Sequence, residues 1–241
     1  MRISFSGTHN IGKTTLINDF LKEWPMYTNY DLSYRKLPEI SNTSTHSKNT
    51  TEETQWRILN CLIDDLQDTT EDDYVVFDRN PLDNIVYSMW KNAKNTDDIS
   101  DKFVGKSIQL VKEAIKFLDV IFFLPITAAA PVTIVDDGTR ETDPIYREEI
   151  DTLFKCIRHQ WEVNPGFKLC DPEDRPPIIE VFGSEHERIE MLKLYLNVDG
   201  DVIGDDAPSI LDMNQIKEIE TLKEGLGVAG DEQSKAFQDT F

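Results

Sequence analysis

Positive charge is scarce in this sequence: 25 lysines and arginines stand against 45 aspartates and glutamates, a net charge of −20. Proteins that hold nucleic acid by its backbone gather lysine and arginine into a stripe, so a chain this acidic is a poor general binder of DNA or RNA. Long apolar runs are also missing. No stretch of eighteen apolar residues occurs, and Met1 leads straight into a strand-like segment without a charged-then-apolar leader. The expectation is therefore a soluble, cytoplasmic protein with no membrane attachment. Cysteine is sparse and odd in number: Cys61, Cys156 and Cys170 are far apart, with no C-x-x-C pair and no histidine at metal spacing. That argues for reduced structural thiols and against a disulfide framework. His46, His159 and His186 have no nucleophile at a recognisable spacing, and no repeat occurs at solenoid periods.

What is present begins at the first residues. Arg2-Ile3-Ser4-Phe5-Ser6 alternates as a strand. Gly7-Thr8-His9-Asn10-Ile11-Gly12-Lys13-Thr14 then matches G-x-x-x-x-G-K-[ST], and Thr15 to Leu21 continues at helical spacing. Strand, phosphate loop and helix are the context this motif requires. Its glycines let backbone N–H groups curl round a phosphate, the Lys13 ammonium reaches the β and γ oxygens, and the Thr14 hydroxyl ligates Mg²⁺. The helix N-terminus adds a positive dipole end. Gly7, Asn10, Ile11, Gly12, Lys13, Thr14 and Thr15 are the candidate nucleotide-binding residues. His9 contributes its backbone N–H.

At 241 residues and 39% hydrophobic content, the chain can bury one substantial core. Apolar runs alternate with helical patterns. A second strand is expected over Met26 to Leu32 and a helix after a Thr50-x-x-Glu53 capping box. A buried strand is expected at Tyr74–Phe77, a helix over Phe103 to Leu118 and a strand at Val120–Leu124. A helix opening at Asp143-Pro144 and a strand at Ile178–Phe182 complete the order. This is an α/β pattern. Ser41 to Asn49 is a polar loop, read either as a substrate cover or as an insertion. From Asp199 onward come eleven acidic residues and three lysines, a net of −8 against −12 for the rest. The expected division is a domain over 1–198, with a lid at about 136–162, and a mobile acidic tail over 199–241. Asn197-x-Asp199-x-Asp201 suggests calcium, but Val202 stands where a calcium loop needs glycine and Pro208 where it needs glutamate.

Three further constellations bear on chemistry. Asp78, at the carboxyl end of the expected central strand, lies where ligands of open α/β sheets bind, and can hold Mg²⁺ or accept a proton. Arg79 can clamp an anionic substrate group; the competing reading is an Asp–Arg pair that merely closes a strand. Arg140 and Arg147 lie at the turn and in the first helical turn after Asp136-Asp137-Gly138 and are placed to stabilise a phosphoryl group in transit. The alternative for Arg147 is a solvated helix face paired with Asp151. Gly183 and Ser184 follow the last strand, where a nucleotide base can rest on backbone.

With these residues assembled, the chain resembles the small P-loop kinases grouped with AAA-type ATPases, which include ribosylnicotinamide-kinase-like and many phage proteins. The resemblance spans roughly Arg2 to Leu196. It rests on Gly7–Thr15, Asp78-Arg79-Asn80-Pro81-Leu82-Asp83 with Tyr87, Asp137-Gly138-Thr139-Arg140, and Ile179–Ser184 with Arg188. It implies a P-loop NTPase fold of the kinase type, a parallel sheet with helices on both faces and an Arg-bearing lid. It further implies ATP with Mg²⁺, a nucleoside, nucleotide or related hydroxyl acceptor, and a phage or bacterial source, hence a host cytoplasm if phage. Sensor regions of a hexameric AAA machine are not recognisable, which speaks against a ring motor.

The resulting expectation is an ATP-dependent kinase with a free small-molecule acceptor. Two alternatives stay open: a phage kinase acting on a hydroxymethylated pyrimidine within DNA, for which Tyr34, Trp90 and Tyr146 are candidate stacking side chains, and a nucleotide-gated ATPase or switch with a protein partner. The sequence does not indicate an oligomeric state.

Overall fold

Ile3 and Phe5 on the first strand, Val76 on the third, and Val120 and Phe122 on the fourth join one buried cluster. Their alternating neighbours Val75, Phe77, Ile121 and Phe123 join another. A period of two in three adjacent strands gives a sheet with two apolar faces, and each face needs its own helices. The computed structural model describes residues 1–30, 36–37, 47–70, 73–94, 97–128 and 142–203. In chain order the elements are β1 (Arg2–Ser6), α1 (Lys13–Glu23), β2 (Thr28–Asn29), α2 (Glu52–Gln67), β3 (Val75–Asp78) and α3 (Pro81–Ala93). Then follow α4 (Asp101–Ile115), β4 (Val120–Phe123), α5 (Pro144–Val163), β5 (Ile178–Glu180) and α6 (Glu185–Leu192). The five strands are parallel, in the order β2-β3-β1-β4-β5. On the first face Leu16, Ile17 and Phe20 of α1 and Leu192 of α6 cover the sheet. On the second, Leu59 of α2, Ile85 of α3, Val111 of α4 and Ile150 of α5 do so. This is the P-loop NTPase kinase fold.

Register fixes the working edge. Phe5 pairs with Asp78 and Ser6 with Phe123, so β1, β3 and β4 end side by side, and the turns leaving them share one rim.

Several elements differ from the sequence expectation. The second strand covers only Thr28–Asn29, and Tyr30 N still donates to Val76 O. Thr51, not Thr50, caps α2, because Thr50 is buried with its hydroxyl taken by Gln55 Nε2 at 2.7 Å. Helix α3 was not expected, although its signals are present: Asn80 at the cap, Pro81 in the first turn, and Leu82, Ile85 and Val86 buried. Tyr34, the Asp136–Arg140 turn, residues 41–46 of the polar loop and the chain from 204 onward lie outside the described residues. No described helix is long and apolar enough to cross a membrane. The three cysteines are free thiols.

The segment Asn197–Ile203 packs on the domain, although the tail was expected to begin at Asp199. Trp24 Nε1 donates to Asn197 O at 2.8 Å, Tyr27 Oη to Gly200 O at 2.6 Å, and Tyr74 Oη to Asp201 Oδ1 at 2.6 Å. Gly200 has φ 84°, and a Cβ there would lie 2.7 Å from the Tyr27 ring. The Asn-x-Asp-x-Asp spacing serves this turn: Asn197 Oδ1 accepts from the backbone N of Asp199 and of Asp201, at 2.8 and 3.0 Å. A chain ending at Leu196 loses all three aromatic anchors and should unfold about 2–4 kcal/mol more easily in urea, at about 1 kcal/mol per hydrogen bond plus lost packing. A chain ending at Ile203 should keep the wild-type midpoint. Equal midpoints for both truncations would show that the clasp contributes nothing.

Candidate active site around the phosphate loop

The loop between β1 and α1 is shaped by two left-handed glycines and by the donors that fill its carbonyls. Gly7 has φ 140°, and a Cβ would sit 2.7 Å from Leu124 O; Gly12 has φ 89°, and a Cβ would sit 2.9 Å from Arg188 Nη1. Side chains fit neither place. Asn10 adopts φ 53°, one of the few non-glycine types that tolerate the left-handed region. Each of six successive carbonyls then accepts a hydrogen bond. Lys13 Nζ donates to Gly7 O at 2.9 Å and to Thr8 O at 2.7 Å. Arg147 donates from Nε to His9 O at 2.9 Å and from Nη2 to Asn10 O at 3.3 Å. Arg188 Nη1 donates to Ile11 O at 2.8 Å, and Leu16 N closes on Gly12 O at 3.0 Å. These contacts fix the peptide groups of the loop, and no side chain caps the N-terminus of α1. That is an anion seat.

Three cations therefore surround the loop from separate elements: Lys13 on α1, Arg147 on α5 and Arg188 on α6, all buried. Burial pushes both guanidinium pKa values below the ordinary arginine range, opposed by Asp151 for Arg147 and by Glu185 for Arg188. Arginine stays charged nonetheless. Arg147 is not the solvated pair the sequence allowed, because the Asp151 carboxylate is engaged by Lys155 at 2.7 Å and by Ile126 N at 2.8 Å. Arg188 Nε is buried without a hydrogen-bond partner among the described residues. Buried cations held by carbonyls attract a polyanion, and an orphan donor beside them points the same way. Sequence reasoning did not place Arg188 in the site; its contact to Ile11 bridges 177 positions.

The residues expected to hold a metal ion meet. Thr14 Oγ1 donates to Asp78 Oδ2 at 2.9 Å across the β1–β3 rim. A hydroxyl and a carboxylate facing one another suit a hard divalent cation with oxygen ligands, and no soft sulfur ligand is nearby in the motif. Thr15, exposed in the first turn of α1, and the backbone of Asn10 and Ile11 complete the expected cradle. Arg140 lies outside the described residues.

The wall beyond Asp78 is aromatic and cationic. Arg79 has φ 108°, an uncommon backbone for a side-chain-bearing residue. Its guanidinium lies 5.2 Å over the Tyr87 ring and donates to Asp83 Oδ1 at 3.1 Å. His9 packs between Tyr87 at 5.0 Å and Tyr146 at 5.9 Å, and Trp90 meets Tyr146 edge-on at 4.4 Å. Lys48 pairs with Asp143 and lies 5.6 Å over the Tyr146 ring. Gly183, at φ 95°, and Ser184 form the turn into α6. The Ser184 hydroxyl accepts from Glu187 N at 3.4 Å as the helix cap, and Arg188 is the side chain from this turn that reaches the loop. Lys155 pairs with Asp151, and Arg158 with Glu162 and Glu180.

A family model described as an AAA domain matches residues 2–164, about two thirds of the chain, and the chain belongs to that family. No curated protein sequence gives a significant match. Among solved structures, a deoxyadenosine kinase from M. mycoides with dCMP and dCDP bound is similar at TM-score 0.61 and 16% identity, over 80% of this chain and 96% of that one. A thymidylate kinase from Candida albicans gives TM-score 0.52 and 14% identity over 80% and 89%. The NadR protein in complex with NR gives TM-score 0.51 and 15% identity over 95% of this chain and 52% of that one. At these identities the likeness is one of fold.

A buried charge without a carboxylate partner costs folding energy, so replacing it by an apolar side chain of similar length relieves that cost while removing the charge from the ligand seat. Arg188→Met should therefore melt no lower than wild type without nucleotide, yet bind a fluorescent ATP analogue about 10-fold more weakly, a loss of about 1.4 kcal/mol. Unchanged nucleotide affinity would remove Arg188 from the seat.

Proposed function

We propose, with membership of that AAA domain family as the premise, that this chain is an ATP-dependent kinase that passes the γ-phosphoryl group to a nucleoside, a nucleotide or a related hydroxyl compound. The observation that carries the reading is the loop itself: six consecutive carbonyls engaged by donors, an uncapped α1 N-terminus, and the Thr14–Asp78 pair at one end. Kinase neighbours of the same fold, one of them with dATP bound, support it.

The roles follow from position. The amides of Gly7 to Thr15 hold the β-phosphate, and Lys13 exchanges its carbonyl partners for phosphate oxygens. Thr14 and Asp78 would hold Mg²⁺, which would supply positive charge against the polyphosphate. A carboxylate already accepting from the Thr14 hydroxyl suits the role of metal anchor better than that of base, and a loose phosphoryl-transfer transition state asks little of a base. Arg79 faces the acceptor, and Arg140, which lies outside the described residues, is the second arginine assigned to anionic oxygens. Arg147, with two nitrogens on His9 and Asn10, braces the loop. The acceptor oxygen forms its bond to the γ-phosphorus as the bridging bond to the β-phosphate breaks, ADP leaves, and the hydroxyl proton passes to solvent or the phosphate oxygens. The setting is the cytoplasm, that of a host cell for a phage source.

A panel of nucleosides, nucleoside monophosphates and duplex DNA carrying hydroxymethylated pyrimidine, offered with γ-labelled ATP, tests the reading. Label is expected on a free small acceptor, with a shallow salt dependence. Transfer to the modified duplex alone, with log affinity falling by about 0.9 per phosphate contacted as log salt rises, would replace the small acceptor by DNA. ATP turnover that ignores every acceptor and rises with a protein partner would replace the kinase by a switch. Asp78→Asn should lower kcat by about two orders of magnitude, partly restored by excess Mg²⁺, because an amide is a weaker ligand for a hard cation. A normal kcat at limiting Mg²⁺ would remove Asp78 from the metal site.

A further inference from the structure

Helix α5 carries three charges spaced four residues apart, and their partners divide unevenly. Arg147, Asp151 and Lys155 lie along one side of the helix, so the carboxylate stands between two cations, each one turn away. Asp151 is 3% exposed. Its Oδ2 pairs with Lys155 Nζ at 2.7 Å, and its Oδ1 accepts from Ile126 N at 2.8 Å. Lys155 Nζ also donates to Ile126 O at 3.0 Å, so the two side chains hold Ile126 by its N–H and by its carbonyl. Ile126 follows Leu124, whose carbonyl closes on Gly7 at the start of the phosphate loop. Arg147 spends its donors on that loop, Nε on His9 O and Nη2 on Asn10 O. One helix thus grips both the loop and the segment that abuts it.

The carboxylate interacts with both cations and bonds to one. Burial pushes the Asp151 pKa up, opposed by Lys155, by the Ile126 amide and by Arg147; burial pushes the Arg147 pKa down, opposed first by Asp151, then by Tyr87 and Glu148. Helix geometry favours Lys155, since an acid four residues before a base is the better orientation and a base before an acid the poorer one. Stability is a weak reason for the contact. The Lys155 side chain is 45% exposed, and a pair of that kind adds little to a helix. What the lysine does accomplish is to occupy the carboxylate. A buried carboxylate stripped of its cation is strongly unfavourable and takes the nearest one left, which along this helix is Arg147. An arginine captured in that way gives up the loop carbonyls of His9 and Asn10.

We propose that Lys155 is a positioning residue for the nucleotide seat: by holding the Asp151 carboxylate it keeps Arg147 committed to the phosphate loop. The proposal rests on the reading of that loop as a nucleotide seat. Its consequence has a particular sign. Loss of Lys155 harms the seat only while the Asp151 charge is present to capture Arg147, so a second loss, that of the charge itself, restores what the first removed.

The test is the affinity of the full chain for a fluorescent ATP analogue, with thermal melting followed on the same proteins. Lys155→Met should bind about 10-fold more weakly, because Arg147 leaves two loop carbonyls for one carboxylate. Lys155→Arg keeps the cation, and Asp151→Asn has no charge to capture Arg147 yet still accepts from Ile126 N; each should stay within about threefold of wild type. The double variant Asp151→Asn/Lys155→Met should return to within about threefold as well, the opposite of additive losses. Without nucleotide, Lys155→Met should melt close to wild type, since the carboxylate exchanges one cation for another. Unchanged affinity or a far lower melt in Lys155→Met, weak binding by Lys155→Arg or Asp151→Asn, or a double variant no better than Lys155→Met overturns the proposal and leaves the nucleotide seat standing. A wild type that binds no ATP analogue overturns both.

Discussion

The orientation of six peptide groups decides what this molecule can bind. From Gly7 to Gly12 every carbonyl accepts a hydrogen bond, from a lysine on α1, an arginine on α5, an arginine on α6 or a helical amide. A peptide group fixed by its oxygen has its N–H fixed as well, so the engaged carbonyls also hold the loop amides in place. The sheet makes this workable. Ser6 pairs with Phe123 and Phe5 with Asp78, which starts the loop at the common rim and delivers the Asp78 carboxylate to the Thr14 hydroxyl. The loop, the Thr14–Asp78 pair and the aromatic wall thus depend on a register set by the alternating apolar residues beneath them.

How far this was legible in the sequence follows from how local each constraint is. The phosphate loop compresses strand, turn and helix into about twenty residues, and its glycines are demanded by left-handed geometry at Gly7 and Gly12, so the motif and its neighbours sufficed. Asp78 was legible because it ends an apolar run whose length suits a buried strand. Arg147 was visible as a site candidate but not in its contact, which spans 138 positions to His9. Arg188, Asn80 and Asp83 were quoted for family resemblance without a role: the Asn80–Asp83 cap is local, but the contacts of these residues to Ser6 and Ile11 span 74 to 177 positions, and no local pattern encodes those contacts. The missed helix α3 is a different failure: Asn80, Pro81 and the apolar spacing of Leu82, Ile85 and Met89 carried the signal, overshadowed by the Asp-Arg pair before them.

Charge is distributed against the chain's overall sign. The net charge of −20 repels polyanions at long range, which slows encounter and makes it sensitive to ionic strength. At short range the balance reverses. Lys13, Arg147 and Arg188 converge on backbone oxygens, whereas other described cations, such as Lys91 with Asp98 and Lys94 with Glu149, form ion pairs. Cations held by neutral carbonyls keep their full charge for a ligand; cations paired with carboxylates have given it up. An acidic protein can in this way hold a triphosphate at one point while the rest of its surface stays unattractive to nucleic acid.

The same contacts bear on motion. An arginine that stabilises a phosphoryl group from a closing lid has to move with the lid and reach the ligand late. Arg147 starts in the first turn of α5 with two nitrogens already committed to His9 and Asn10, and its helix is packed into the core through Ile150 and Phe154. Shifting it would release two loop carbonyls at once, at about 1 kcal/mol or more each, and would let the peptide groups of the loop turn. Its position therefore favours a rigid brace over a moving finger. The loop is held from α5 on one side and α6 on the other, and its shape is set before any ligand arrives, which is the condition for fixed dipoles to stabilise charge without reorganising.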